Sequence, residues 1–346
     1  MTNKEKKIPD LITSSEYIRK IFEKRIKDID KRAVKVLDVK SYIIKRHVSE
    51  DFFHFVIQNN VTLKINKGLR RRYQIFAVSF SGHGRRKMYQ ILELAFRDGF
   101  NKGMVVMPRP LWYIDDLMSA FYVGIPGDNF LEHIKNGHID LNCIKKIAKG
   151  LFQLHQIKMS GAEAQNFVPL RKHKFSWDYL DPTDILDREH NVSSKFVLEI
   201  RKQFKSLKTV FKEIMDSNIS LSHGDFHPEN VIVNKFNSKQ VALIDFSEAC
   251  LAPIYFDIAS FLQQLHFMTR SYLTEKQYAS MEKAFLSAYF GEVIITPKMK
   301  AKINLYKAWT ALKSTVYFMI FDDEVNRGFA EYLLKKSKEY LVKAIN

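Results

Sequence analysis

Short runs of β-branched and aromatic residues alternate with turn residues over the first quarter of the chain. The runs lie at 34–36, 41–48, 51–58, 61–65 and 73–80. Turn chemistry separates them at Asn59-Asn60 and at Asn66-Lys67-Gly68. This pattern predicts an antiparallel sheet.

The segments around this sheet predict helices and two further strands. Residues 13–31 carry apolar positions at helical spacing, with Ser14 or Ser15 as the cap. A second helical pattern begins at Gly82-His83-Gly84 and extends to about Phe100, where Gly99 marks its end. Two more short strands, 111–114 and 118–123, are predicted around a turn at Asp115-Asp116.

After Pro126-Gly127 the pattern becomes mainly helical. Helices are predicted at 141–157, at 193–216 and from Ile258 to the end, with breaks near Gly291 and Pro297. We therefore expect an α+β protein with two lobes. The small β-rich lobe with its N-terminal helix covers residues 1–124, and the larger helical lobe covers 125–346.

Composition adds a strong charge bias to this picture. The 346 residues include 55 Lys and Arg against 38 Asp and Glu, a formal net charge of +17. Such a surface attracts anions such as nucleotides or phosphorylated substrates. The two cysteines are too few for a disulfide framework, which favours a reducing, cytoplasmic location. Neither a secretory signal nor a membrane-spanning stretch is evident.

One predicted hairpin has polar residues at both of its ends. Its strands are Val231–Val233 and 241–244, with NKFNSKQ between them. Asp225 and Asn230 precede the first strand and Asp245 follows the second. Because a hairpin returns its chain, we expect these three residues to meet. Two carboxylates and an amide oxygen form a hard-oxygen site that suits Mg²⁺.

The spacing within this segment adds a catalytic interpretation. Asp225 lies five residues before Asn230, after His223-Gly224. The catalytic loop of protein kinases has the same spacing, with Asp as the base and Asn on the metal. A structural origin remains open, because Asp often caps turns.

The segment HGDFHPEN, followed by IDFSEA and IYFDIASFL, resembles the aminoglycoside phosphotransferase and choline kinase family. Weaker similarity in MPRPLWY, FYVGIPGDNFLEHI and IAKGLFQLHQI extends the resemblance over about 70–265. It implies a two-lobed, protein-kinase-like fold that transfers the γ-phosphate of ATP, with Mg²⁺, to a hydroxyl of a small molecule. Family acceptors include aminoglycosides, choline, amino acids and sugars.

The resemblance also implies roles for individual residues. Asp225 would be the catalytic base, and Asn230 and Asp245 would hold Mg²⁺. Supporting and nucleotide-binding roles fall on the following residues: His223 in the catalytic loop, Asp257 as its brace, and the backbone of Tyr122 and Val123 at adenine. His155 is interpreted as a packed helix residue.

The sequence departs from this family at one position. The strand QIFAVSFS has no lysine to reach the nucleotide phosphates. Lys64 on the preceding strand is one candidate replacement. Arg85, Arg86 and Lys87 at the helix start are others, although a solvated surface is the favoured interpretation for them.

Two alternative functions stay open. Without the lysine, the chain could be a weakened kinase that binds a nucleotide or a substrate. A basic protein that binds nucleic acid or an anionic surface ranks last, because no stacking aromatic ladder accompanies the basic run 67–72. Nucleic acid is therefore not expected as a partner. A cationic acceptor could meet the following acidic residues: Asp184, Asp187, Glu189, Glu248, Asp322, Asp323 and Glu324.

Overall fold

A five-stranded antiparallel sheet forms the centre of the first of two units. In the computed structural model this unit comprises Met1–Asp128 and Ile232–Ser247, and the second comprises Asn129–Val231 and Glu248–Asn346. The structure describes residues 2, 5–165, 194–214, 219–237, 240–319 and 324–346. Within these ranges, no helix combines the length and hydropathy that a membrane span requires.

The strands have the following bounds: β1 Ala33–Val48, β2 Phe53–Ile65, β3 Arg70–Phe80, β4 Val105–Val106, β5 Arg109–Ile114, β6 Ser119–Val123, β7 Gly127–Asn129, β8 Ser220–Ser222, β9 Val231–Asn234, β10 Val241–Leu243 and β11 Cys250–Ala252. The helices have the following bounds: α1 Ile8–Thr13, α2 Ser15–Lys24, α3 Ile26–Ile29, α4 Arg86–Ala95, α5 Phe130–Lys135, α6 Leu141–His155, α7 Gly161–Ala164, α8 Ser194–Ile214, α9 Tyr255–Thr269, α10 Glu275–Phe290, α11 Pro297–Met319 and α12 Glu324–Ile345.

The large sheet has the strand order β1-β2-β3-β6-β5. Its predicted turn at 66–68 is confirmed, with Lys67 and Gly68 both at positive φ. The predicted turn at Asn59-Asn60 is wrong, because β2 continues through it. Asn59 is fully buried, where its side chain accepts a hydrogen bond from Ser41 and donates one to the Ile75 carbonyl. These bonds satisfy a turn-forming side chain inside the sheet.

The N-terminal helices pack on this sheet and complete its core. Ser14 caps α2, as predicted, by accepting a hydrogen bond from the Tyr17 amide at 3.3 Å. Phe22 is fully buried, and its ring lies 6.3 Å from the rings of both Trp112 and Phe121. The apolar face predicted for this segment is therefore a core face.

A second sheet, with the order β4-β10-β9-β7, contains the predicted hairpin. The second unit consists mainly of helices, and β8 pairs with β11 in a short antiparallel sheet. The long helices α11 and α12 both contribute to a core cluster around Phe267, Ala311 and Leu333. The predicted division into an N-terminal antiparallel sheet and a helical C-terminal part is confirmed.

A buried carboxylate, Asp30, joins the helical segment to the sheet. It accepts hydrogen bonds from Arg32 and, at 2.7 Å, from the Tyr73 hydroxyl. Arg71 donates a further bond at 3.3 Å. The hydrogen bonds from Arg32 and Tyr73 hold the pKa of Asp30 well below its usual range, although burial opposes them.

We expect Asp30→Asn to lower the free energy of unfolding by about 2 kcal/mol at neutral pH, because charge-assisted hydrogen bonds are lost. A lowered folded pKa stabilises the fold above the unfolded pKa of about 4, and this stabilisation fades as pH falls further. Denaturant titrations should therefore give a difference in unfolding free energy between wild type and Asp30→Asn that decreases as the pH falls from 7 to acid values. The exposed neighbour Asp28 provides the control Asp28→Asn. A pH-independent difference, or an equal loss in the control, would contradict this account.

Candidate active site

The loop that carries the HGD sequence follows β8 and ends in a 3-10 turn, Pro228–Asn230. Gly224 has a φ of +85°, and a Cβ atom there would lie 1.9 Å from the carbonyl oxygen of Glu248. No side chain fits such a contact, and only glycine adopts this φ freely. The glycine between His223 and Asp225 is therefore required by the loop's path.

Asp257 holds this loop from the first turn of α9. It is fully buried and accepts hydrogen bonds from the amides of His223, at 2.6 Å, and Gly224, at 3.0 Å. His155 Nε2 lies 3.1 Å from Asp257, and His155 Nδ1 lies 2.6 Å from the Tyr289 hydroxyl. Because a carboxylate only accepts, Nε2 donates to it, and a neutral His155 accepts from Tyr289.

Asp225 is the half-exposed carboxylate of the loop. Burial alone would raise its pKa, but His227, 3.6 Å away, and the charge of Lys313 outweigh this effect. Together with the charge of His223, they hold the pKa of Asp225 below its usual range. Asp225 is therefore ionised at neutral pH.

Asn230 is oriented by its own side-chain nitrogen. Nδ2 lies 2.8 Å from the carbonyl oxygen of Asp225 and 3.0 Å from His227 Nε2. Nδ2 donates to the carbonyl oxygen, which turns Oδ1 the other way, and Oδ1 has no hydrogen-bond partner among the described residues. An amide oxygen fixed in this way is chemically suited to bind a hard cation.

Asp245 lies in the first unit, two residues after β10. Its backbone has a φ of 58°, a left-handed conformation that Asp tolerates better than most residues. Its side chain is half exposed and accepts a hydrogen bond from the Ser247 amide at 3.4 Å. Arg85 NH1 lies 4.0 Å from Asp245 Oδ1.

Tyr122 and Val123 form the end of β6, between β3 and β5. The Tyr122 ring stacks on Phe76, with ring centroids 5.6 Å apart. Burial, and then the charge of Asp245, raise the pKa of Tyr122, so its phenol stays protonated. The structure thus brings Tyr122 near Asp245.

Lys64 does not share the neighbourhood of Asp245. It is exposed and lies opposite Lys35 and Arg70 in the sheet. His54, which contacts Arg85 and so lies near Asp245, is ten residues before Lys64 on β2. At the usual rise per residue, this separation is about 33 Å. The sequence did not indicate this separation, because it predicted two strands at 51–58 and 61–65 where the structure has one continuous strand, β2.

Three side chains of the site were missed or misread in the sequence. His227 contacts Asp225 and Asn230, and His155 pairs with Asp257 rather than merely packing. Their signals were the second His of HGDFHPEN and the Leu-His end of α6. The expectation of a solvated Arg85 is wrong, because only 11% of its side chain is exposed.

In the part of the chain that the structure describes, no group of three or more His, Cys, Asp or Glu forms a metal site. The predicted Mg²⁺ ligands are not such a group, because one of them, Asn230, is an amide and not a His, Cys, Asp or Glu. Most of the acidic residues considered for the acceptor lie outside the described residues: Asp184, Asp187, Glu189, Asp322 and Asp323.

A family model described as the phosphotransferase enzyme family matches residues 85–300. The chain belongs to this family. The match includes the loop with Asp225 and Asn230, and it also includes Asp245. A search of curated proteins finds no match to this phosphotransferase.

Solved structures with similar folds include several small-molecule kinases. An ethanolamine kinase of Plasmodium vivax is 14% identical, with a TM-score of 0.63, and the match covers 99% of this chain and 97% of that one. A choline kinase of Cryptosporidium parvum is 16% identical, with a TM-score of 0.61 and 95% of each chain covered. An amicoumacin kinase in complex with AMP-PNP and Ca²⁺ is 13% identical, with a TM-score of 0.59 and 94% and 96% covered. The predicted family and protein-kinase-like fold are confirmed.

We expect Gly224→Ala to unfold the loop of this phosphotransferase, because the added Cβ would strike a backbone oxygen. Gly328→Ala is a matched control: Gly328 is exposed within α12, and no atom lies within 4 Å of the place that its added methyl group would take. The control should be stabilising by about 0.5–1 kcal/mol, the usual gain from Gly to Ala in a helix. Thermal unfolding and limited proteolysis measure both variants. A Gly224→Ala protein as stable as wild type would show that the loop follows another path.

Proposed function

We propose that this phosphotransferase moves the γ-phosphate of ATP to a hydroxyl group of a small molecule. The observation that carries the proposal is the braced loop, in which Asp225 is ionised and Asn230 presents a free amide oxygen. Family membership supports the reaction class. The similar amicoumacin kinase, with AMP-PNP and Ca²⁺ in its complex, supports the use of a nucleotide and a divalent cation.

In this proposal, Asp225 orients the acceptor hydroxyl and takes its proton. A carboxylate with a lowered pKa is a weak base, so it removes the proton only as the new O–P bond forms. That timing suits phosphoryl transfer, whose transition state is loose and demands little of the base. His223 supports the loop through the hydrogen bond that its backbone N–H donates to Asp257.

Asn230 and Asp245 are the proposed Mg²⁺ ligands. Both offer hard oxygens, and Asn230 Oδ1 is oriented by the bond that its nitrogen donates to the Asp225 carbonyl. Bound Mg²⁺ would neutralise the charge of the nucleotide phosphates. We propose that the backbone around Tyr122 and Val123 meets the nucleotide base.

The acceptor is proposed only as a hydroxyl compound. The formal charge of +17 favours an anionic acceptor. We also propose a reducing, cytoplasmic location, because two cysteines, Cys143 and Cys250, are too few for a disulfide framework.

A second candidate is a nucleotide-binding protein that has lost phosphoryl transfer. The observation in its favour lies in β3, where Ser79 is buried and donates a hydrogen bond to the Leu117 carbonyl at 2.6 Å. Neither this residue nor its neighbours Ala77, Val78 and Phe80 supply a cation.

We expect Asp225→Asn to reduce phosphoryl transfer by about 10²–10⁴-fold, the range typical for loss of an acid–base group. ATP affinity should stay within about threefold, because the variant removes no proposed metal or nucleotide ligand. The measurement uses γ-labelled ATP with a panel of amino alcohols, aminoglycosides, sugars, amino acids and anionic hydroxyl compounds such as sugar acids and sugar phosphates. Asp38→Asn, at an exposed position on β1, is the control.

Unchanged transfer by Asp225→Asn would refute the assigned role. Wild-type protein that binds ATP with Mg²⁺ yet phosphorylates no acceptor of the panel would favour the second candidate instead.

A further inference from the structure

Arg85, the residue that precedes α4, is a nearly buried cation beside Asp245. We propose that Arg85 binds the phosphate groups of the nucleotide and does the work for which β3 has no lysine. This inference rests on the proposed function, since it concerns the same nucleotide.

Two contacts fix the position of the Arg85 guanidinium. One terminal nitrogen lies 3.0 Å from His54 Nε2, and the group sits over the Phe80 ring, 5.4 Å from its centroid. Burial, and then the charges of Arg85 and Lys45, lower the pKa of His54 to about 4. Neutral His54 therefore accepts the hydrogen bond and adds no negative charge, so Asp245, 4.0 Å from NH1, is the anion that faces Arg85.

The guanidinium retains donors that the protein does not satisfy. Arg85 Nε is buried and has no hydrogen-bond partner within the described residues. Its NH1 lies 4.0 Å from Asp245 Oδ1, which is longer than a hydrogen bond. A buried cation with unmet donors is costly unless an anion binds to it.

A phosphate group fits this arrangement better than a carboxylate of the protein does. The guanidinium presents its N–H groups in a planar fork that matches two phosphate oxygens. Asp245 is 51% exposed and Arg85 11%, so solvent reaches Asp245 and only the exposed edge of Arg85. Phosphates bound beside Asp245 would meet NH1, the terminal nitrogen on that side of the guanidinium.

The neighbouring arginine shows that this placement is specific. Arg86 is 45% exposed and pairs with Asp115, and its guanidinium lies over the Tyr113 ring at 4.6 Å. It belongs to the same helix start, yet its charge is already paired. A general attraction of anions to basic residues at this helix would not distinguish the two arginines, whereas the proposed contact would.

The test compares a ligand with phosphates, ADP, with a ligand without them, adenosine. Calorimetry with Mg²⁺ would measure ADP directly and adenosine by displacement, for wild type and the variants Arg85→Met, Arg85→Lys and Arg86→Met. We expect Arg85→Met to weaken ADP 10- to 100-fold and adenosine less than twofold. Arg85→Lys keeps the charge without the fork and should lose 3- to 10-fold for ADP, while Arg86→Met should stay within twofold.

The outcomes separate the two levels of the claim. If wild type binds ADP and both Arg85 variants bind it equally well, Arg85 is only a brace for Asp245 and the inference fails alone. If ADP and adenosine weaken together, the effect is structural and the inference also fails. If wild type binds neither ligand, the proposed function fails with it. Thermal unfolding measures whether each variant is folded. If Arg85→Met is unfolded, ADP and adenosine binding by Arg85→Lys provides the test instead.

Discussion

The buried carboxylate of Asp257 is the constraint on which the candidate active site depends. It accepts hydrogen bonds from the amides of His223 and Gly224, two consecutive residues that lie outside the strands and helices. An unpaired buried carboxylate would be strongly destabilising, so these bonds fix the loop as well as the charge. The fixed backbone then determines where Asp225 projects and where Asn230 can reach it. The catalytic role proposed for Asp225 thus originates in a helix about 30 residues downstream.

Electrostatics gives the two candidate carboxylates different surroundings. In the second unit, imidazoles and Lys313 lower the pKa of Asp225, which keeps it an anion that attracts a hydroxyl proton. In the first unit, Asp245 faces Arg85 across 4.0 Å without a hydrogen bond, which leaves both groups able to bind something else. The overall charge of +17 says less than these local contacts, because most basic residues within the described ranges are exposed.

The sequence predicted the fold class and the hairpin well, because turn residues and apolar spacing encode local structure directly. It failed at Asn59, a turn-forming residue that the sheet uses internally through Ser41. It also failed at Arg85, whose burial comes from His54, a residue 31 positions away. The residues Asp225, Asn230 and Asp245 were proposed from their spacing, but the contacts of His155 and His227 arise only from tertiary packing. Chain-distant contacts of this kind leave no periodic signal.

The central claim is that this phosphotransferase binds ATP with a divalent cation held by Asp245. Calorimetry of ATP binding in Mg²⁺ and in EDTA, for wild type and Asp245→Ala, tests it most directly. The account predicts that wild type binds ATP at least tenfold more tightly with Mg²⁺, and that Asp245→Ala loses this difference while remaining folded. Equal Mg²⁺ dependence in the two proteins, or no ATP binding by wild type, would contradict the account.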